Sequence, residues 1–232
     1  MKITICNITY TLSEDNSNNL LNTLFSIKQK QNRSLAFRSG CKSGVCGSCA
    51  VRVNGVEKLA CKTIFKDGDI IEPLNNSKVI KDLVVDIQNQ EEFLKKSHAF
   101  LNTLSDEIVT KEDEKNIDIE SNCILCSSCF SSCPVYTINK DFLGPFALTR
   151  TYRYINDIKE KEINTKLEAI QNNAIWDCTL CGNCNLVCPS NIDIKGDIEK
   201  LRNKSAQFGY NNPNMNIGFD TNLDFGFNPN GF

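Results

Sequence analysis

Residues 123–134 read CILCSSCFSSCP and residues 178–189 read CTLCGNCNLVCP. The four cysteines of each stretch have the same spacing, and a proline follows the last cysteine of each. The offset from Cys123 to Cys178 is 55 residues, and every later pair repeats it. Two such patterns are not expected by chance in a chain with 13 cysteines among 232 residues. The second half of the chain is therefore an internal repeat organised around cysteine.

Cysteines separated by two residues place three thiolates around one turn of chain, which suits three corners of a cubane iron–sulfur cluster. The fourth corner needs a ligand from elsewhere, and in two-cluster ferredoxins the cysteine before the proline ligates the other cluster. The repeat thus predicts two cross-linked [4Fe–4S] sites. The first combines Cys123, Cys126 and Cys129 with Cys188, and the second combines Cys178, Cys181 and Cys184 with Cys133.

The two prolines, Pro134 and Pro189, fix the backbone angle φ and suit the first turn of a helix leaving each cluster. Because the cross-ligation joins the two halves of the repeat, we expect this region not to fold without metal.

A further group of cysteines lies nearer the N-terminus, at Cys41, Cys46, Cys49 and Cys61. The residues between the first three are mostly Gly and Ser, which allow a tight loop whose N–H groups point at sulfur. Asn54-Gly55 is a hairpin turn signal, and the return strand would bring Cys61 back to the loop. The spacing of the first three cysteines is that of plant-type ferredoxins, so the group predicts a [2Fe–2S] site.

Other uses of so many cysteines fit the sequence less well. A 5.6% share in a chain this long is below that of a disulfide scaffold. Structural zinc sites favour paired Cys-x₂-Cys hooks, and the chain has one His. Buried inert thiols and a zinc- or cluster-sensing regulator are the remaining alternatives. A net charge of −2 gives no basic footprint for nucleic acid.

The apolar pattern divides the chain into three segments. Residues 1–79 read as a β-rich unit with a first strand carrying Ile3, Ile5, Cys6 and Ile8. The turn signals Asn54-Gly55 and Asp67-Gly68 predict hairpins, and one helix carries Leu20, Leu21, Leu24, Phe25 and Ile27. Residues 80–204 read as helical, beginning with a pattern over 79–102, with an exposed connection over 106–120. Residues 205–232 form a tail rich in Asn, Phe and Gly, expected to be mobile or to dock on a partner through its aromatic residues.

Over residues 1–204 the sequence resembles the iron–sulfur subunits of succinate dehydrogenases and fumarate reductases. The resemblance rests on FRSGCKSGVCGSC at 37–49, LAC at 59–61, IEP at 71–73 and KDLVVD at 81–86. It continues through CILC at 123–126, GP at 144–145 and YRY at 152–154. It implies an α+β fold, in which an N-terminal β-grasp [2Fe–2S] domain like that of plant-type ferredoxins precedes an all-helical two-cluster domain like that of bacterial ferredoxins.

The resemblance also implies a function, which is relay of single electrons between a partner flavoprotein with FAD, where succinate and fumarate interconvert, and a membrane subunit that binds quinone. No substrate site is expected in this chain itself.

Three residues depart from the pattern of most of that family. Cys181 stands where an apolar residue leaves a [3Fe–4S] cluster, so we expect [4Fe–4S] here, with [3Fe–4S] as the alternative if Cys181 does not bind iron. This looks like the subset typified by methylmenaquinol:fumarate reductases, whose partner subunit is itself cysteine-rich. Thr179 and Ile138 stand where many members carry a quinone-pocket His and a Trp. They keep a second function open, which is relay from a thiol/disulfide or other non-quinone donor.

The sequence has no apolar stretch long enough to span a membrane. Residues 1–5 alternate like a strand and lack a signal-peptide layout, so the cytoplasmic face of the inner membrane is expected, with attachment through partner subunits. The periplasmic face is the alternative if the loaded subunit is exported with a partner that carries the signal.

Overall fold

A computed structural model describes residues 1–12 and 19–213. The fold is α+β, as predicted, with a mixed sheet in the N-terminal part and helices after it. Five strands form the main sheet in the order β2-β1-β5-β3-β4. They are β1 (Lys2–Ile5), β2 (Ile8–Thr11), β3 (Ala50–Val53), β4 (Val56–Leu59) and β5 (Ile70–Glu72).

The first predicted strand is in fact a hairpin. β1 and β2 pair antiparallel with Ile5 opposite Ile8, so Ile8 belongs to the second strand. Cys6 lies in the turn between them with a positive φ of 46°, and the prediction that it lies on a strand is wrong. The local pattern could not reveal the reversal because neither turn residue is a glycine or a proline.

The Asn54-Gly55 turn is confirmed, since it joins β3 to β4 with Val53 opposite Val56. A turn also forms at Asp67-Gly68, but it does not close a hairpin. The strand after it, β5, pairs parallel with β1 and antiparallel with β3. It therefore fills the centre of the sheet, which a hairpin prediction cannot anticipate.

The predicted N-terminal helix is confirmed as α1 (Leu20–Lys30). Asn19 caps it by accepting a hydrogen bond from the N–H of Asn22. Its apolar face packs on the sheet, with Leu20, Leu24 and Ile27 fully buried in one core with β1, β3 and β5. The sheet and the helix packed on it support the loop of residues 37–49 and the return of the chain to Cys61.

The prediction that a helix begins at residue 79 is wrong for residues 79–87. They form a two-stranded ribbon, β6 (Val79–Lys81) and β7 (Val84–Val85), and the helix α2 begins only at Gln88 and ends at Lys96. Leu83 and Val85 are buried in the core of the main sheet. The apolar spacing here suits a short hairpin as well as a helix, and packing on the sheet decides between them.

The helical part contains α3 (Lys111–Lys115), α4 (Asp118–Ser121), α5 (Ser128–Ser131), α6 (Pro145–Ile155), α7 (Ile163–Ala169), α8 (Asn183–Val187) and α9 (Ile194–Gln207). Its core gathers Phe142, Phe146, Leu148, Leu167, Ile198 and Leu201 with several cysteines. Residues 106–120 are largely exposed, as predicted, although they include a short helix and the start of a second, and Glu120 at their end is buried. Most of the aromatic tail lies outside the described residues.

Pro134 and Pro189 behave differently from each other. Pro134 begins a 3₁₀ turn, Pro134–Thr137, as expected for a proline in a first helical turn. Pro189 lies in a turn, and the next helix starts five residues later at Ile194, so that prediction is wrong. Within residues 1–12 and 19–213 the helices are too short or too polar to cross a membrane.

Candidate iron–sulfur sites

The loop of residues 40–49 directs backbone N–H groups at cysteine sulfur. The N–H groups of Ser43 and Val45 lie 3.4 Å from Cys41 Sγ, and the N–H of Cys41 lies 3.3 Å from Cys46 Sγ. Positive φ at Lys42, Gly44 and Gly47 produces this curl. Such dipoles stabilise sulfur anions.

The fourth cysteine of this group returns to the loop as predicted. Cys61 follows β4 in a short 3₁₀ turn, and its N–H lies 3.4 Å from Cys49 Sγ. Hydrogen bonds from Ser43, its side chain first, lower the pKa of the exposed Cys41 thiol to about 6. Burial instead raises the pKa of the Cys49 thiol to about 11. One side of the group thus faces solvent while the other is enclosed by the sheet.

The two repeats adopt the same local backbone. Leu125 and Ser127 have positive φ in the first repeat, and Leu180 and Gly182 have it at the equivalent positions of the second. Each left-handed Ser127 or Gly182 begins a short helix, α5 or α8. The chain therefore winds around a common centre in both repeats.

The structure brings together the cysteines that the cross-ligation requires. Cys188 lines one cavity with Cys123, Cys126 and Cys129. Cys133 lines another with Cys178, Cys181 and Cys184. Each cavity thus collects three cysteines of one run and the fourth cysteine of the other.

Burial keeps most of these thiols protonated while no iron is bound. It raises the pKa of Cys133 to about 11 and that of Cys184 to about 12, with neighbouring cysteines adding to the rise. Burial also raises the pKa of Cys129 well above its ordinary value. Because iron binds thiolates, loading these sites must release protons.

Two buried polar atoms next to these cysteines have no hydrogen-bond partner among the described residues: Tyr136 Oη and Arg150 Nε. Tyr136 lies beside Cys129 and Cys133, one cysteine from each cavity. Arg150 lies beside Cys123. Buried donors without partners in this neighbourhood fit an acceptor, such as a sulfide, that occupies the cavities.

In the described part of the chain, no three Cys, His, Asp or Glu side chains converge as a single metal ion would need. The fit to clusters therefore rests on the two cavities, the directed N–H groups and the orphaned donors.

The loop of residues 40–49, which carries the predicted [2Fe–2S] site, contacts the first repeat directly. Gly47 is buried, and a methyl group on it would lie 2.7 Å from Cys126 Cβ and 3.0 Å from the carbonyl oxygen of Ile124. Glycine is required here by this approach as well as by its positive φ of 70°. The first cysteine group and the first cavity are thus neighbours through backbone contact.

Polar contacts fix the two halves to each other beside the cysteines. The Asn76 side-chain amide lies 2.9, 3.1 and 3.2 Å from the carbonyl oxygens of Phe130, Ser131 and Cys133. The Ser131 hydroxyl donates to the buried carboxylate of Glu57 at 2.7 Å. These bonds hold the segment that joins the two repeats against the main sheet.

Sequence reasoning did not single out Asn76, Tyr136 or Arg150. The role of each residue depends on burial or on contacts with residues distant in the chain. Burial and distant contacts cannot be read from the local spacing of residues. The only local signals are that Tyr136 follows the Cys-Pro pair by two residues and that Arg150 stands in an otherwise largely apolar helix.

Comparison with known families agrees with this geometry. Residues 4–92 match the family described as a 2Fe-2S iron-sulfur cluster binding domain, and residues 120–192 match a 4Fe-4S dicluster domain. The predicted cofactors, a [2Fe–2S] cluster and [4Fe–4S] clusters, are therefore confirmed at the level of the two domains. The ligand role of each cysteine stays a prediction.

The fumarate reductase iron-sulfur subunit of Haemophilus influenzae is 33% identical over 220 residues, covering 86% of both chains. The chain belongs to the family of iron–sulfur subunits of fumarate reductases and succinate dehydrogenases. The 8-methylmenaquinol:fumarate reductase iron-sulfur subunit of Wolinella succinogenes is 34% identical, over 87% of this chain and 69% of its own. An uncharacterized iron-sulfur protein of Methanococcus maripaludis is 40% identical over 83% of this chain, which spans only 40% of that relative's length.

A solved structure supports the family's fold. A chain of the Mycobacterium smegmatis Sdh1 complex superposes with a TM-score of 0.79 at 22% identity, covering 90% of this chain and 97% of that one. The predicted order of a β-grasp domain followed by a helical two-cluster domain is thus confirmed.

Proposed function

We propose that this chain relays single electrons between a flavoprotein site for succinate and fumarate and a membrane subunit linked to menaquinone or another quinone. The single observation that carries the proposal is the grouping of cysteines in the two cavities, each completed by the fourth cysteine of the other run. It supports two cubane sites side by side, with the [2Fe–2S] loop against the first of them. Clusters in such a series supply one-electron acceptance and donation.

The proposal assigns twelve ligands to three sites. The [2Fe–2S] site takes Cys41, Cys46, Cys49 and Cys61, the first cubane site takes Cys123, Cys126, Cys129 and Cys188, and the second takes Cys133, Cys178, Cys181 and Cys184. The division into a domain at 1–79, a domain at 80–204 and a tail is part of the same proposal.

In this proposal the chain's own residues bind the clusters, stabilise their negative charge and shield them from water. N–H groups of Ser43, Val45 and Leu180 point at cysteine sulfur and stabilise its negative charge. The apolar side chains of Phe146 and Ile192 line the first cavity and exclude water. In this proposal the chain is the non-catalytic subunit of its complex, and succinate and fumarate react on the flavoprotein.

The partners in this proposal are an FAD-containing flavoprotein and a membrane-anchor or cysteine-rich quinone-linked subunit. The chain then lies at the membrane surface through those partners. Cys41 and Cys46 are exposed at one end of the series and Cys181 at the other, so each end offers a cluster edge to a partner.

The test uses the complex purified anaerobically with its native partner subunits. We expect succinate to reduce the clusters, fumarate to reoxidise them, and a menaquinol analogue to re-reduce them, all followed by EPR. Clusters that respond to neither succinate nor fumarate would contradict the proposal. Re-reduction by a dithiol but not by the quinol would replace the quinone link with the thiol-donor alternative.

A further inference from the structure

Arg150 lies one helical turn from the first cubane site's apolar wall. Phe146 on α6 lines the cavity with Cys123 and Cys188, and Arg150 stands four residues later on the same helix face. The Arg150 side chain is half-buried, and its Nε is buried without a hydrogen-bond partner in the described part of the chain. One Nη lies 3.3 Å from the Tyr154 hydroxyl, which holds the guanidinium in place.

The charge of Arg150 has no carboxylate partner within 4 Å among the described residues. Its neighbour Arg153 differs, because an Asp157 oxygen lies 2.7 Å from its guanidinium. The Arg150 guanidinium lies beside the Cys123 thiol, so its positive charge is next to a predicted cluster ligand.

The second repeat also has an arginine near its cysteines, but this arginine has different hydrogen-bond partners. Arg202 donates to the carbonyl oxygens of Ile175 at 2.8 Å and Cys178 at 2.6 Å, so its N–H groups already bind backbone. Arg150 differs, because its buried Nε has no hydrogen-bond partner among the described residues.

We propose that Arg150 raises the reduction potential of the cubane site formed by Cys123, Cys126, Cys129 and Cys188. The inference rests on the proposed function, since it requires that these four cysteines hold a cluster. Reduction adds one electron and therefore one negative charge, which a nearby cation stabilises more than it stabilises the oxidised form. Arg stays protonated throughout, so no proton accompanies the electron at this residue.

The test is an EPR-monitored redox titration of the full chain, purified anaerobically with its clusters. For Arg150→Gln we expect the equilibrium constant for reducing this cluster to fall about tenfold, a downward shift of about 59 mV for one electron. Arg150→Lys keeps the charge and should shift less than half as far. Arg153→Gln, whose charge is balanced by Asp157, is the matched control on the same helix and should leave the potential near the wild-type value.

Wild-type potential in Arg150→Gln, equal shifts in the Gln and Lys variants, or a joint shift of all three clusters would overturn the inference. Should Arg150→Gln fail to assemble the site, Arg150→His provides a second measurement. Its cluster potential should fall as pH rises through the imidazole pKa, which wild type should not show, and a pH-independent potential would overturn the inference. Wild-type protein without a four-iron signal would instead refute the proposed function.

Discussion

At the scale of single residues, the proposed ligand set makes Cys181 the residue that determines the iron content of the second cubane site. It lines the cavity with Cys133, Cys178 and Cys184, but it is the exposed member of that set. If Cys181 is a ligand, its loss would open one corner of the cluster. The resulting change in iron content can be measured without an activity assay.

We expect Cys181→Ser to convert the second cubane site from [4Fe–4S] to [3Fe–4S], with loss of one iron per chain. Iron analysis and EPR of the oxidised protein measure the change. Cys6→Ser is the matched control, since Cys6 lies in the β1–β2 turn, outside the three groups, and should keep full iron content. Unchanged iron in Cys181→Ser would contradict the ligand assignment.

Asp197 makes stability depend on pH. Its buried carboxyl accepts a hydrogen bond from Thr149 and faces Glu120, and burial raises the pKa of Asp197 to about 7. In the unfolded chain its pKa would be about 3.9, so between these values the folded protein binds more protons than the unfolded chain. The contribution of this group to stability is thus present below pH 4 and is lost as pH rises through 7.

Asp197→Asn should therefore raise the melting temperature of the cluster-loaded protein more at pH 8 than at pH 5.5. Thermal unfolding followed by circular dichroism at both pH values measures this difference in melting temperature. Asp193→Asn, at the N-cap of the same helix, is the control. Hydrogen bonds from Gly196 and Asn185 lower the pKa of Asp193, so it stays ionised at both pH values. A pH-independent effect of Asp197→Asn would show that its carboxyl is not protonated in the fold.

At the scale of elements, the 40–49 loop approaches the first repeat so closely that no side chain fits at Gly47. Gly47 and Gly68 both have positive φ, 70° and 85°, but only Gly47 has a neighbour, Cys126, within 4 Å of an added methyl group. Alanine at either position adds backbone strain, and only alanine at Gly47 adds a clash.

We expect Gly47→Ala to lower the melting temperature more than Gly68→Ala and to weaken the magnetic coupling between the [2Fe–2S] cluster and the first cubane. EPR relaxation of the [2Fe–2S] signal, compared between the two variants, measures that coupling. Equal behaviour of the two variants would mean that the loop does not lie against Cys126.

Elements whose signal is local could be predicted from the sequence, and others could not. Cysteine spacing, the Asn54-Gly55 turn and the apolar face of α1 are patterns of residues close together in the chain. They therefore predict the cysteine groups, the hairpin that brings Cys61 back and the helix packed on the sheet. The β6–β7 ribbon, the central position of β5 and the bonds of Asn76 depend on partners distant in sequence. The same holds for Arg150, whose importance comes only from the thiol it lies beside.

At the scale of the whole molecule, the cysteines are part of the core they would organise. Cys129, Cys133 and Cys184 are buried in the helical core, and α5 and α8 have only four and five residues. Helices so short are not stable alone. We therefore expect bound iron to supply the stability that such short helices lack.

Removal of iron and sulfide should therefore unfold residues 120–207 while leaving the main sheet partly protected. Hydrogen exchange followed by mass spectrometry compares the peptides around 123–134 and 178–189 with those of α1 and β3. A cluster-free protein that keeps its helices and melts cooperatively would contradict this expectation.

Iron and acid-labile sulfide analysis of the full chain isolated without oxygen tests directly whether twelve cysteines hold three clusters. We expect about ten iron and ten sulfide per chain, two of each in the first site and four in each of the others. Zinc in place of iron, or a well-folded colourless protein with neither iron nor sulfide, would contradict it.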